Sequence, residues 1–151
     1  MIEFVVQIII GYLYATWLEW LLHKHVLHGS GKNKNNWFSF HWHSHHKACR
    51  KNNNLDENYN TFLSSSVVKE IASLCLLATV HIPIYFIMPY LYCALICCAI
   101  RYFYVHQKSH LNVEWGMIYF PWHYKHHMGK NQDANWGVTT ELWDIILGTK
   151  E

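Results

Sequence analysis

The chain is 151 residues long, room for about one domain, and residues 1–151 read as a single unit. Apolar residues supply 52% and aromatics 17%, whereas charged residues supply 15%, well under the roughly 25% of an ordinary soluble domain. A formal charge of +2 with no basic run interleaved with aromatics argues against a nucleic-acid groove, and thirteen histidines exceed what chance packing supplies.

The first apolar segment runs from Phe4 to Leu22, broken only by Gln7 and Glu19. Its nineteen residues come close to the about 20 that cross a hydrocarbon core. It has no basic lead and no small-residue cleavage site, and it runs straight into histidines, so it reads as a retained membrane helix rather than a signal peptide. The first histidine cluster, His23-Lys24-His25-Val26-Leu27-His28, follows at once. Gly29 and Gly31 mark the end of this helix. On an ideal α-helix His23 and His28 stand about 140° apart, so spacing alone favours His25 with His28. The second cluster is His41-Trp42-His43-Ser44-His45-His46, and the asparagine-rich stretches 33–36 and 52–54 read as exposed loops.

Two further apolar segments form a tight pair. Ala72 to Met88 is interrupted by Ser73, Thr79 and His81; Tyr90 to Val105 carries only Arg101 as a charge, and Pro89 marks the turn between them. Both are short for spanning, so a hairpin that enters the bilayer without crossing it stays open. His81 lies inside the second segment, away from the other histidines, and reads as a partner for a backbone carbonyl freed by Pro83 rather than as a metal ligand. The third segment ends in His106-Gln107-Lys108-Ser109-His110, and the fourth cluster is His123-Tyr124-Lys125-His126-His127.

Charge sets the orientation. Seven Lys and Arg residues lie between Lys24 and Lys69 and five between Arg101 and Lys150, with none in residues 1–22 or 72–100. Three membrane helices, one single and two in a hairpin, put both basic stretches on one face, which the positive-inside rule makes cytoplasmic. Twelve of the thirteen histidines share that face. The expected fold is therefore an all-α integral membrane protein of about three transmembrane helices with a cytoplasmic helical cap that holds the histidines, in a bacterial inner membrane or the endoplasmic reticulum.

Histidines three or four residues apart share a helix face, as His41 and His45, His106 and His110, and His123 with His126 or His127 do. Neutral imidazole is a good ligand for iron, zinc and copper, and four clusters could saturate two ions. Gathering so many imidazoles without a metal would either desolvate them or set like charges together. The five cysteines have no CxxC spacing, and four lie in apolar stretches, so they read as packed or lipid-facing thiols.

The clusters, with Asn135-Trp136-Gly137 and the closing run Trp143 to Thr149, resemble the fatty acid hydroxylase / sterol desaturase superfamily, whose members share HX3–4H, HX2–3HH and HX2HH boxes. The HKxxxHG start at His23 also resembles the bacterial beta-carotene hydroxylases of that group. The resemblance runs from about Glu19 to Thr149. It implies His23, His28, His45, His46, His106, His110, His123, His126 and His127 as ligands. The second box departs from the commoner spacing because position 42 is Trp; His41 fits an HX3HH version and His43 competes with it. His23 against His25 stays open in the same way.

The resemblance further implies two non-haem irons (zinc being a possible substitute in purified protein), dioxygen as oxidant, and a lipid-like substrate: fatty acyl, sterol or carotenoid. No electron-carrier segment is visible in the chain, so the electron donor would be a separate cytochrome b5-like or ferredoxin-like protein. Glu19, one turn before His23, is expected to hold that ring, and Asn135 and Asp144 are expected beside the fourth box. Trp37, Trp115, Trp122 and Trp136 are expected to line a substrate entrance. The rival readings are a membrane metal-binding or transport protein and a di-zinc hydrolase. Neither the Glu-x-x-His of carboxylate-bridged di-iron bundles nor the HExxH of zinc proteases occurs.

Overall fold

A computed structural model describes residues 2–151; among them are helices and turns and no strand. Helix α1 (Ile2–Leu22) continues without a break into a π-helical segment, His23–Ser30, and a second π-helical segment, His41–His46, leads into α2 (Lys47–Lys51). After a 3-10 turn at Glu57–Asn60 come α3 (Ser65–Val80), the short α4 (Ile82–Tyr85) and the long α5 (Pro89–Leu111). Three short helices close the chain: α6 (Val113–Tyr119), α7 (Pro121–Met128) and α8 (Leu142–Ile146).

The architecture is a pair of long helices with a cap on one end. Helices α1 and α5 run parallel and touch closely at Gly11, where an added Cβ would lie 2.8 Å from the Ala94 Cβ and 2.9 Å from the Leu91 carbonyl. Gln7, the polar break in the first apolar segment, is buried there, and its side-chain oxygen accepts from the Tyr90 amide at 3.1 Å. It thus satisfies one of the orphan amides at the start of α5. Because the two helices are parallel, both bring their histidine-bearing C-terminal ends to the same place, where α2, the 3-10 turn, α6, α7 and α8 pack around them.

Among the described residues, one helix, Ile2–Ser30, is long and apolar enough to cross a membrane. Its outward face is apolar, with Ile2, Phe4, Val5, Val6, Ile9 and Ile10 all exposed. The hairpin differs from its expected bounds. Helix α3 starts seven residues before Ala72, capped by Ser64, whose hydroxyl accepts from the Val67 amide, so the polar Lys69 and Glu70 belong to it. It stops at His81, because Pro83 removes a donor and crowds the carbonyl four residues back. Its 16 residues span about 24 Å, short of the roughly 30 Å of a hydrocarbon core. Pro89 opens α5, as the turn reading anticipates, and α5 runs on past Val105 to carry both His106 and His110.

Helix α1 likewise runs past Gly29 and is closed by Gly31, where a Cβ would fall 1.9 Å from the Leu27 carbonyl, so only glycine fits.

Candidate metal centre

The cap brings ten imidazoles together. His23, His28, His41, His45, His46, His106, His110, His123, His126 and His127 are each at most 3% exposed. They fall into two adjoining groups. The nitrogens of His23, His28, His41, His46 and His126 lie within 4.8 Å of one another, as do those of His45, His106, His110 and His127. His123 completes the second group, its Nε2 standing 3.1 Å from that of His110. The groups share a wall at His46 and His127, whose rings are 4.1 Å apart. His25 is exposed and His43 is half-buried, its Nε2 donating to the Lys32 carbonyl at 2.9 Å, so neither joins them.

The π-helical segments explain this choice. A π turn closes on the fifth residue rather than the fourth, so residues five apart come round to the same side of the helix. His23 and His28 are five apart in the first such segment and His41 and His46 five apart in the second, and all four rings turn inward. The α-helical geometry that favoured His25 does not apply there. Box three sits on the last turns of α5, and box four on α7, where ordinary α spacing holds.

Tautomers follow from the outer partners. The Nδ1–H of His23 donates to the Trp136 carbonyl (2.6 Å), that of His126 to the Ala134 carbonyl (2.7 Å) and that of His110 to the Asn54 carbonyl (3.0 Å). Those of His45 and His106 donate to Asp56 Oδ2 (2.8 Å) and Glu70 Oε1 (2.7 Å). With the proton fixed on Nδ1, each of these five rings presents a bare lone pair at Nε2. The Nε2 atoms of His45, His106 and His127 have no hydrogen-bond partner at all, though buried. Four other Nε2–Nε2 separations are 3.0–3.1 Å. Two nitrogens each about 2.1 Å from one ion and at right angles stand about 3.0 Å apart. The lone pairs of these five rings converge on the other imidazoles with nothing else between them, which fits a cation, and the donor set suits iron, zinc or copper.

Burial, with neighbouring imidazoles adding to it, holds His41, His45, His46 and His127 well below the ordinary histidine range. Burial likewise pushes His126 down to about 3, although its bond to Ala134 works the other way. Neutral, ligating imidazole is therefore the resting form at neutral pH.

Three expected outer partners sit elsewhere. Glu19 does not hold His23; its carboxylate accepts from the Val138 amide (2.6 Å), the Thr139 amide (2.8 Å) and the Thr139 hydroxyl (2.8 Å). Asp144 touches no histidine of the fourth box but accepts from the Trp136 and Gly137 amides at 2.8 Å each and from Trp20 and Thr149. Asn135 adopts φ +54°, and its side chain accepts from the Glu151 amide. The carboxylates fix the loop 135–139 and Asn135 turns it, so that the carbonyls on either side, Ala134 and Trp136, meet His126 and His23.

The partners that spacing did not reveal are Asp56, Glu70, Asn54 and Tyr59. Tyr59 donates to Glu70 Oε2 at 2.6 Å and so steadies the carboxylate that holds His106. Glu70 left one trace: a lone carboxylate within a largely apolar helix, a residue type seldom buried unpaired. Asn54 is fully buried, with φ +73°, and is no exposed loop residue. Cys49 is buried with its Sγ 3.4 Å from His110 Nδ1, whereas Cys75, Cys93 and Cys97 are exposed on the apolar helices; all five thiols are free. His81 stays outside the centre: its Nδ1 bonds the Leu77 carbonyl (2.7 Å), not one that Pro83 frees, and its Nε2 meets the Tyr14 hydroxyl (3.1 Å).

An apolar cavity of about 440 Å³ leads to the centre between α1, α3 and α5. Leu18, Leu22, Leu74, Leu77, Leu95 and Ile96 line its length, His81 lies on its wall, and His23 and His41 stand at its inner end. None of the four tryptophans expected at an entrance lines it; Trp136 is buried against the His28 ring at 4.7 Å.

Fold and site together define a helical protein with one membrane-length helix and a buried centre of ten histidines. A sequence model of a family described as fatty acid hydroxylase matches residues 8–149, and the chain belongs to that family. Membership makes it an oxidoreductase of a membrane-associated group. No curated protein and no solved structure gave a match.

Proposed function

We propose that the protein is a membrane-bound, di-iron, oxygen-dependent hydroxylase or desaturase of a lipid-like substrate. The observation that carries this reading is the apolar cavity that ends on His23 and His41. A linear hydrocarbon lying between α1 and α3 would bring one C–H bond to the histidine centre and exclude water from it. The five histidines around His28 would hold one iron and the five around His110 the other, and iron there supplies the activation of dioxygen. The chain's own part is to fix the imidazoles through Asp56, Glu70 and the three carbonyls, and to keep the substrate chain straight and dry. The two basic stretches, 24–69 and 101–150, fall on the histidine-bearing side of the apolar helices and support a cytoplasmic position for the centre, in a bacterial inner membrane or the endoplasmic reticulum.

The transporter reading draws no support from His81, since both its ring nitrogens are engaged within the bundle. The test is to purify the chain in detergent, measure bound metal, and supply lipid extract, a reductant and isotopically labelled dioxygen. Two irons per chain, with one labelled oxygen or one new double bond in a lipid, is the expected result. Product formed without dioxygen would assign the centre to a hydrolase instead.

A further inference from the structure

A second hollow, of about 400 Å³, reaches the centre through His46 and shares no lining residue with the apolar cavity. Its chemistry is the reverse of the first. Lys34, Lys47 and Arg50 are exposed around it, and Trp42 and Gln132 form its floor with His46. No carboxylate lines it, and Asp133 beside it is neutralised by Lys32 at 2.8 Å. Trp42 joins this surface to the buried rings: it stacks on His46 with centroids 5.3 Å apart and an interplanar angle of 29°, and its edge meets His28 at 4.9 Å. Gln132 reaches the same His46 from outside, its amide 2.8 Å from Nδ1.

We propose that this basic hollow docks the acidic face of a one-electron carrier protein, with Trp42 as the contact through which electrons reach the ligands His28 and His46. The inference rests on the oxygenase reading above, in which each oxidised C–H bond consumes two electrons. Two one-electron deliveries from the carrier, with two protons from water, balance the insertion of one atom of dioxygen and the release of the other as water. The position suits that traffic, because carrier and substrate approach different ligands of one centre from separate openings. A concave cationic site with an aromatic floor on two ligands also fits a protein face better than a flat sheet of lipid headgroups. Charge complementarity of this kind governs encounter and its salt dependence.

The test uses the full chain in detergent, metal-free, with two probes: the soluble haem domain of a cytochrome b5 and a plant-type ferredoxin. At least one is expected to bind, more weakly as salt rises, and the triple variant Lys34→Glu, Lys47→Glu, Arg50→Glu is expected to weaken it about tenfold or more. In iron-loaded protein of equal iron content, Trp42→Leu is expected to keep carrier affinity while slowing oxidation of the reduced carrier about tenfold, with Trp42→Phe recovering part of the rate. Unchanged carrier binding in the triple variant overturns the docking site; loss of its binding to phosphatidylglycerol vesicles alone would give the hollow to lipid. Oxygen-dependent product from the unaltered chain with dithionite isolates the reading underneath. If that product is absent the oxygenase assignment fails, and if it is present while carrier binding ignores the charges, only the docking proposal does.

Discussion

A buried imidazole whose Nδ1–H is already engaged has one thing left to offer, the lone pair on Nε2. His106 shows the dependence most directly, since its ring is oriented by Glu70, which Tyr59 orients in turn. Removing such an outer partner typically costs 10–100-fold in metal affinity. Glu70→Ala is therefore expected to weaken metal binding by about that factor while the helix content stays unchanged, as a competitive chelator titration would read. A plain ligand loss should be harsher: His126→Ala is expected to abolish activity and lower the metal content, whereas His81→Ala keeps most of the metal. Equal metal loss in the two variants would contradict the separation of His81 from the centre. At this scale the histidines were easy to read and their partners were not. Dense clusters announce themselves along the chain, but the partner of His23 lies 113 residues away and is a carbonyl, which every residue has. Helix spacing sets Glu19 one turn before His23, but that ring donates to the Trp136 carbonyl and the Glu19 carboxylate accepts from the Val138 and Thr139 amides instead.

Two elements decide whether the centre assembles. The π-helical segments put residues five apart on one side, and the shared five-residue spacing of His23/His28 and His41/His46 was the one available sign of them. Reading that spacing with α-helical geometry leads to His25, which the structure leaves in solvent. The α1–α5 contact is the second element, because it sets the two histidine-bearing helix ends side by side. Gly11→Val would force a branched side chain into a gap already 2.8 Å from Ala94. Overpacking of this kind costs about 1–3 kcal/mol. The expected outcome is a lower unfolding temperature and a lower metal content, with Val6→Ala, on the exposed face of the same helix, as the unaffected comparison. The apolar runs place these helices, yet the second run misses the first two turns of α3 and continues past its end at Val80 into α4, because hydropathy marks where a segment is apolar and not where a helix starts or stops.

For the molecule as a whole, the neutral state of the histidines ties stability to acidity. A histidine whose folded pKa lies below its unfolded 6.5 leaves the unfolded chain holding more protons, so stability is fully present above about 6.5 and drains away as pH falls toward the folded value. For His126 that window runs from 6.5 down to about 3, and His41, His45, His46 and His127 shift the same way. Each group contributes up to about 1.4 kcal/mol per pH unit within its window. The metal-free protein in detergent is therefore expected to unfold at a constant temperature above about pH 7 and progressively lower below about 6.5. A midpoint that does not move on acidification would show that the rings are open to water. Three of the groups that hold the imidazoles, the carbonyls of Asn54, Ala134 and Trp136, belong to the main chain. No codon change deletes a peptide oxygen. Damage to those three anchors comes through the bends that aim them, so a saturation screen for metal retention should punish replacement at Asn135, which turns the loop, and at Asp144, which pins it.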